Sequence, residues 1–249
     1  MQEDLILHLY STVDKFVKNY DEVVIAFSGG VDSSVLAKIC KDLNKTVKLV
    51  TIGFANSHDI LFSQTISKLL GLASRHIAFE LIEDEFINDC KYIKSKIACD
   101  NLSHIENCIA FYQISKIVKD NNLGTMFLTA NGFDELFCGY DRYRSIYCRG
   151  EDSLLSFMNE KIENELHMMK EISMVIDSLN IKSSQPFLAD SFINYAKGIP
   201  FEFKIKGPKD MLRKHIIREI ALQIGVPKES ALHPKKAMQY GTHIHKYLE

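Results

Sequence analysis

The chain has 249 residues, of which 46% are hydrophobic and 25% are charged, an ordinary composition for a globular protein with enough chain to bury a substantial core. Its formal net charge of -2 gives no general affinity for polyanions, so binding to nucleic acid or to a membrane surface is not favoured. The acidic amino terminus lacks the apolar core of a signal peptide, and no apolar run is long enough to span a membrane. We therefore expect a cytoplasmic protein.

The cysteines contain no Cys-x-x-Cys pair, and several lie within apolar helical patterns. This arrangement does not favour a zinc site or a disulfide framework. We expect reduced and mostly buried thiols at Cys40, Cys90, Cys99, Cys108, Cys138 and Cys148.

Helix-like and strand-like segments alternate over about the first 130 residues, which predicts βαβ units and a parallel sheet. An amphipathic helix opens the chain. The predicted strands are residues 23–27, 47–52, 76–79 and 125–128. The predicted helices between these strands are residues 33–43, 59–70, 83–96 and 105–122.

From Gly150 onward the pattern becomes helical and polar, with a helix start at Asp152-Ser153 and breaks at Gly207-Pro208, Gly225 and Pro227. No proline- or glycine-rich linker separates an independent unit, so residues 1–249 are predicted to form a single domain. Within it we expect an α/β core at residues 1–150 and an integral helical lobe at 151–249. The lysines of residues 204–214 are interpreted either as a solvated face or as a phosphate- or acceptor-binding group. We expect His243 and His245 to be exposed side chains.

The strand at residues 23–27 leads directly into Ser28-Gly29-Gly30-Val31-Asp32-Ser33-Ser34 and then into a helix. Adjacent glycines let the backbone turn tightly around a ligand, and a helix start presents free N–H groups and a positive dipole end to an anion. The serine hydroxyls add donors, and an aspartate can hold magnesium against phosphate oxygens. The segment is neither a Walker loop nor a Gly-x-Gly-x-x-Gly loop. It predicts a pyrophosphate cradle, against the alternative of a glycine-serine turn without a ligand.

This Ser-Gly-Gly-x-Asp-Ser segment resembles the signature loop of the N-type ATP pyrophosphatases, or PP-loop superfamily. Its members cleave ATP between the α and β phosphates and transfer AMP to a substrate oxygen. The resemblance implies an α/β fold, with a parallel-sheet, adenine-nucleotide α-hydrolase-like core.

A second block, residues 128–143, resembles the synthetase domain of the asparagine synthetase family. The family's Gly-x-Asp-Glu-Leu-Phe-x-Gly-Tyr pattern is matched at Gly132, Asp134, Glu135, Leu136, Phe137, Gly139 and Tyr140. The plain alternative is an acidic helix start followed by core residues. Three weaker blocks extend the resemblance in order, at residues 186–188, 209–213 and 234–241.

The chain also departs from the family's pattern. Asn131 stands where the family has the glutamate of Gly-Glu-Gly, and an amide cannot serve as a base. Ala189 replaces an aspartate, with Asp190 one place on, and His233 replaces the usual arginine of the late segment. The ATP half therefore looks intact and the acceptor half altered, which puts aspartate as the acceptor in doubt.

The resemblance implies the following site. Phe27 touches the nucleoside, Ile52 and Gly53 lie beside the adenine, and Thr129 and Ala130 close over AMP. Gly132 also belongs to the nucleotide-binding residues. The phosphates are held by Ser28, Gly29, Gly30, Asp32, Ser33 and Ser34. Asp32 and Asp134 hold magnesium. Lys235 is the catalytic lysine, with Lys236 the neighbour that could substitute for it, and Glu135 is a candidate for orienting magnesium or the lysine.

The cofactors that the resemblance implies are ATP and Mg²⁺, and the implied reaction adenylates a substrate carboxylate and passes it to ammonia or another amine. Gln2 stands where the family's glutaminase cysteine would be, and only 27 residues precede Ser28. We therefore expect ammonia from solution, a separate glutaminase partner or another amine as the nitrogen source.

Two alternatives stay open: a PP-loop enzyme that adenylates a nucleobase or tRNA, and a non-catalytic ATP-binding protein. A basic stripe beside the ATP site would favour the nucleic-acid acceptor. Its candidate members are Lys204, Lys206, Lys209, Arg213 and Arg218.

Overall fold

A computed structural model describes residues 1–97 and 101–248 of the chain, and Cys99 lies outside these ranges. The strands within them are β1 (Glu22–Ala26), β2 (Thr46–Gly53), β3 (His76–Glu80), β4 (Met126–Leu128) and β5 (Lys182–Ser184). The helices up to the second motif are α1 (Gln2–Val17), α2 (Val31–Asp42), α3 (His58–Leu69), α4 (Glu83–Lys94), α5 (Leu102–Asp120) and α6 (Phe133–Leu136). The later helices are α7 (Arg142–Ile146), α8 (Glu151–Ile176), α9 (Asp190–Lys197), α10 (His215–Gln223), α11 (Lys228–Ala231) and α12 (Met238–Gly241).

All five described strands form one parallel sheet in the order β3-β2-β1-β4-β5. Helices connect the strands, which confirms the predicted α/β fold with a parallel sheet. The central strand β1 lies between β2 and β4. We use the name phosphate loop for residues 28–34, which follow β1, and second motif for the block at residues 128–143, which begins at the end of β4. Because the carboxyl ends of parallel strands meet at the same edge of a sheet, the two segments lie side by side.

The strand β5 lies in the region predicted to be helical. That region is mostly helical, and β5 is the exception. Its backbone extends the sheet beyond β4, with hydrogen bonds from Lys182 N to Thr125 O (2.9 Å) and from Thr129 N to Ser184 O (3.0 Å). The segment was missed because it is short, polar and at the sheet edge, so it carries no alternating hydrophobic signal.

The hydrophobic core consists of two clusters. One includes Leu5 of α1, Val35 of α2 and Ile217 of α10, and the other includes Ile109 of α5 and Ile172 of α8. Both clusters draw residues from before and after residue 150. The shared core is the reason that we predict a single cooperative unit.

The lysines of residues 204–214 form neither a solvated face nor one stripe. Lys204 is fully buried, donates to Ala196 O at 2.8 Å and lies over the ring of Phe201 at 5.1 Å. Burial lowers the pKa of Lys204 to about 8. Lys206 and Lys209 are exposed. The candidate basic stripe is therefore divided between core and surface, which removes the feature that would have favoured a nucleic-acid acceptor.

Three other expectations concern the surface. His243 and His245 are half-buried rather than exposed, because the carboxyl-terminal segment folds back, and His245 Nδ1 lies 2.9 Å from Gln239 O. Among the described cysteines, Cys148 is exposed and the others are buried. No helix within residues 1–97 and 101–248 is long and apolar enough to cross a membrane.

We expect Phe187→Ala to destabilise the whole domain. The Phe187 side chain is fully buried and stacks on Phe133 with ring centroids 4.1 Å apart, so its truncation should cost about 3–5 kcal/mol of unfolding free energy. Urea unfolding followed by circular dichroism should show one transition at a lower midpoint. The control Met174→Ala alters a side chain that is 69% exposed and should have little effect. Separate transitions for residues 1–150 and 151–249 would contradict the single-domain prediction.

Candidate active site

A cavity of about 540 Å³ opens at the carboxyl edge of the sheet. Its floor is formed by the ends of β1, β2 and β4. Its walls come from α5 and α8 on one side and from residues 214–218 and 233–242 on the other. The phosphate loop and the second motif both line this cavity, so the two blocks singled out in the sequence meet at one site.

The phosphate loop is stabilised by its own serines. Ser33 Oγ donates to Gly30 O at 3.2 Å and accepts from Ser28 N at 3.3 Å, while Gly30 N donates to Ser28 Oγ at 3.3 Å. Gly29 has a φ of +79°, and a Cβ there would lie 3.1 Å from the Cα of Ser63. The turn therefore requires glycine at this position.

The loop residues divide between the cavity and the interior. Ser28, Gly30, Asp32 and Ser33 line the cavity. Gly29 and Ser34 do not, because they face α11. Ser230 Oγ donates to Gly29 O at 2.7 Å and to Ser34 Oγ at 2.9 Å, which anchors the loop from behind.

Lys214 lies between two carboxylates at the centre of the site. Its Nζ is 2.6 Å from Asp32 Oδ2 and 2.6 Å from Asp134 Oδ1, and the Lys214 side chain is only 2% exposed. Lys235 pairs with the other oxygen of Asp134. Burial alone would raise the pKa of Asp134, but Lys214 and Lys235 together hold it well below its usual range. Lys214 donates to Asp32, and burial raises the pKa of Asp32 against the charges of Lys214 and Lys235.

An unusual backbone conformation directs Lys214 into the site. Arg213 and Lys214 both adopt left-handed φ values, +52° and +53°, which cost about 1–3 kcal/mol each in non-glycine residues. Side-chain bonds hold this conformation in place. Arg213 Nε donates to Gly139 O at 3.1 Å, Asp210 Oδ1 accepts from Arg213 N at 3.0 Å, and Arg218 Nε donates to Arg213 O at 2.8 Å.

The carboxylate pair fits a magnesium ion bound with phosphate. Asp32 Oδ1 is buried and has no hydrogen-bond partner within residues 1–97 and 101–248, and Asp32 and Asp134 line the same cavity. Hard cations such as Mg²⁺ take a few carboxylate oxygens and complete their shell with phosphate and water. No group of three or more metal-ligating side chains is found in the described part of the chain, so a site held by protein ligands alone is not indicated there.

Glu135 acts on its neighbours rather than on the cavity centre. Its carboxylate accepts from Gly132 N at 3.1 Å and from the hydroxyl of Tyr140. The ring of Tyr140 lies 4.6 Å from Lys235 Nζ, within the range of a cation–π contact. Glu135 thus contacts the tyrosine whose ring lies against Lys235.

Asn131 connects the end of β4 to α8. Its Oδ1 accepts from Thr129 Oγ1 at 2.6 Å, and its Nδ2 donates to Glu165 Oε1 at 2.6 Å. Glu165 is 7% exposed and lines the cavity. Burial and the charge of Glu135 raise the pKa of Glu165 to about 8 against the opposing bond from Asn131. The carboxyl group of Glu165 thus lies next to Asn131, the position at which the family pattern has a glutamate.

The remaining predicted residues lie around the base of the cavity. Phe27 and Ile52 line it but are almost fully buried, and Ala130 and Gly132 line it after β4. Gly53 lies behind the cavity wall, where a Cβ would come within 2.3 Å of Ser57 Oγ.

An imidazole pair borders the phosphate loop. His58 and His233 stack with ring centroids 5.2 Å apart, and both line the cavity. The backbone of His233 is fixed by Arg218, which donates to His233 O at 2.9 Å. Burial and the neighbouring His58 lower the pKa of His233. His233 therefore places an imidazole with a lowered pKa where the family pattern has an arginine.

The sequence did not predict Glu165 or Ser230 as site residues. It indicated Lys214 only within the lysines of residues 204–214, under one of two interpretations, and Arg218 only as a member of the candidate basic stripe. Lys214 directly follows the 209–213 block, but a lysine next to an arginine normally indicates a solvated surface. Glu165 lies in a polar helix, and only its Leu154, Met158, Ile162, Glu165 and Met169 spacing places it on the buried face. No local signal identifies Ser230.

Comparison with known proteins agrees with this geometry. The asparagine synthase family model matches residues 6–182 and 178–249. A putative glutamine-hydrolysing asparagine synthetase of Methanocaldococcus jannaschii is 30% identical over 94% of this chain and 48% of its own length. The asparagine synthetase domain-containing protein CG17486 of Drosophila melanogaster is 24% identical over 90% of this chain and 45% of its own length.

The chain thus spans about half the length of these curated relatives. Among solved structures, a predicted subunit of a tRNA methyltransferase from Methanocaldococcus jannaschii is 17% identical and covers 87% of this chain and 94% of that chain, with a TM-score of 0.39. The match of the family model along almost the whole sequence confirms the resemblance drawn from the two motifs: this chain belongs to the asparagine synthase family.

Proposed function

We propose that the chain is an ATP-dependent, AMP-forming carbon–nitrogen ligase. An oxygen of a substrate carboxylate attacks the α-phosphorus of ATP, the bond from that phosphorus to the bridging oxygen breaks, and pyrophosphate leaves. An amine then attacks the acyl carbon, the bond to the adenylate oxygen breaks, and an amide and AMP result. The observation that carries the proposal is the convergence of Asp32, Asp134, Lys214 and Lys235 beside the phosphate loop.

The phosphate loop and the start of α2 bind the β and γ phosphates through backbone N–H groups and the hydroxyls of Ser28 and Ser33. Asp32 and Asp134 would hold Mg²⁺, which supplies neutralisation of the charge on the departing pyrophosphate. The adenine lies beside the end of β2 at Ile52, and Thr129 and Ala130 close over the α-phosphate end.

The two lysines serve the charge that develops during the reaction. Lys214 is buried and fixed by its backbone, so it meets the pyrophosphate oxygens without reorganisation. Lys235 is about one-fifth exposed and lies on the acceptor side of Asp134. There it stabilises the pentacoordinate phosphorus and then the tetrahedral acyl intermediate.

Glu165 is the proposed proton acceptor for the amine. A general base works best when its pKa lies near the operating pH, and burial raises the pKa of Glu165 to about 8. Asn131 holds the carboxylate in place by donating to Oε1. When the amine attacks the acyl carbon, its proton passes to Glu165.

Three nitrogen sources fit the proposal: ammonia from solution, ammonia from a separate glutaminase, or a larger amine. Each would enter next to Glu165.

The experiment that tests the function is pyrophosphate release from ATP and magnesium, measured with ammonium and a panel of small carboxylates including aspartate.

In that assay we expect one acid to stimulate pyrophosphate release and Asp32→Asn to lower the stimulated rate at least about 100-fold, because the substitution removes the negative charge that would hold magnesium and that pairs with Lys214. The matched control is Asp152→Asn, an exposed aspartate at the start of α8. Measurable ATP binding without release for any acid would contradict the ligase and favour a non-catalytic ATP-binding protein.

We expect Lys235→Met to reduce the same rate at least about 100-fold, because it removes a preorganised cation next to the reacting groups. Its neighbour provides the comparison. Lys236→Met should cause a loss of less than about tenfold, since Lys236 interacts with Asp59 and His233 at the cavity rim rather than with Asp134. Equal losses in both variants would show that Lys235 has no special role.

We expect Glu165→Gln to slow amide formation by about 100-fold or more while the initial burst of pyrophosphate changes by less than about tenfold. The amide oxygen of glutamine still accepts from Asn131, so the fold of the site is kept. Glu165 must lose its proton before it can accept another, so the rate for the unsubstituted chain should rise with pH to about 8, and this rise should vanish in the variant.

The exposed neighbour Glu163→Gln, on the same helix, is the control for the Glu165 variant. An unchanged amide rate and an unchanged pH profile in Glu165→Gln would rule out its role as proton acceptor.

A further inference from the structure

Charge is distributed unevenly around the cavity. Among the residues that the structure describes, the lysine and arginine side chains lining it are Lys214, Arg218, Lys235 and Lys236. All four come from residues 214–236, which border the phosphate loop. The opposite side of the cavity is formed by α5 and α8, and no lysine or arginine of these helices lines it.

We use the name acceptor wall for Ser103, Asn107 and Phe111 of α5 together with Glu165 and Met168 of α8, all of which line the cavity. The α5 members are spaced four residues apart, so they form one stripe along the helix. The α8 members are three residues apart and also share a face. The wall therefore presents two short polar side chains, an aromatic ring, a thioether and one carboxyl group.

The acceptor wall has no cation. Residues 102–115 of α5 contain no lysine or arginine, and Lys116 pairs with Asp89 at 2.7 Å and does not line the cavity. His104 is engaged outside the cavity, with Nε2 2.6 Å from Glu171 Oε2. On α8, Lys161 pairs with Glu160 at 3.1 Å and does not line the cavity.

In the proposed function, the substrate's tail lies toward this wall. The reacting carboxylate approaches the α-phosphorus between the phosphate loop and Lys235, which leaves its tail on the side away from residues 214–236. The bond between Asn131 Nδ2 and Glu165 Oε1 marks where the end of β4 meets the wall. The tail therefore lies against α5 and α8, beyond Asn131.

We propose that the acceptor is a monocarboxylic acid with an uncharged tail, and that the acceptor wall rejects a second carboxylate. This inference rests on the proposed function, because it concerns the acceptor of that reaction. A second carboxylate would be desolvated against Phe111 and Met168, and the wall offers no cation to pair with it. Ser103 and Asn107 can still hydrogen-bond a neutral polar group.

The first test compares butanoate with succinate, which have the same chain length and differ by one carboxylate. The protein is saturated with magnesium and an ATP analogue that carries a methylene group between the α and β phosphates. Each acid is then titrated, with thermal stability as the readout. We expect succinate to bind at least about tenfold more weakly than butanoate, and aspartate to bind weakly too. Succinate binding equal to or tighter than butanoate, or no stabilisation by either acid, would overturn the proposal.

The second test moves a cation onto the wall. Asn107→Arg introduces a guanidinium at a half-buried position, and the control Asn107→Gln keeps a neutral amide there. The ratio of succinate to butanoate affinity should rise at least about tenfold in the arginine variant and stay unchanged in the glutamine variant. The same ratio in both variants would show that the tail does not reach this wall.

These experiments distinguish a failure of the proposed ligase activity from a failure of the proposed acceptor wall. The analogue cannot be cleaved between the α and β phosphates, so the binding comparison does not depend on turnover. If pyrophosphate is never released from ATP, the ligase proposal fails while the order of butanoate and succinate binding still decides the character of the wall. If pyrophosphate is released with succinate in preference to butanoate, the ligase stands and the proposal for the wall fails.

Discussion

The contact on which the site depends is the placement of the Lys214 ammonium between the carboxylates of Asp32 and Asp134. Two carboxylates that contact the same ammonium group are close enough to repel each other in a desolvated site, and the cation between them offsets this repulsion. Buried ion pairs are weak evidence for stability, because desolvation offsets much of the attraction. In the proposed function, these charges act on the phosphates of a bound nucleotide, which accounts for their presence at the loop.

Several unrelated features of the chain serve this one contact. A Cβ on Gly139 would lie 1.8 Å from Asp134 Oδ1 and 2.4 Å from Lys214 Cε, so only glycine leaves room for the pair. The left-handed backbone at Arg213 and Lys214 costs conformational energy, and the bonds from Arg213 and Arg218 offset it. Asp32 and Lys214 are 182 positions apart in the chain, so the packing of the whole domain determines the site.

The sequence predicted the parts of the fold and site that are encoded locally. The strand, glycine turn and helix start around Ser28 to Asp32 are contiguous, so their geometry follows from neighbouring residues. Lys214 and Glu165 could not be assigned in this way, because their roles come from contacts made across the fold. The edge strand β5 and the buried Lys204 were missed for a related reason: burial and pairing with a distant segment override what a short polar or basic stretch indicates alone.

The replacement of a glutamate by Asn131 is the strongest sequence argument for a protein that binds ATP without chemistry, and the structure weakens that argument. Glu165 lies 34 positions later and brings a carboxyl group to the amide of Asn131 across the cavity. Burial and the charge of Glu135 both raise the pKa of Glu165, so ionising its carboxyl group there is costly. A protein that only bound nucleotide would gain nothing from placing a carboxyl group at this position. In the proposed function, Glu165 of α8 supplies a carboxyl group beside Asn131, and the wall next to it presents no lysine or arginine. The proposed change therefore concerns the acceptor side, while the residues assigned to ATP match the family's pattern.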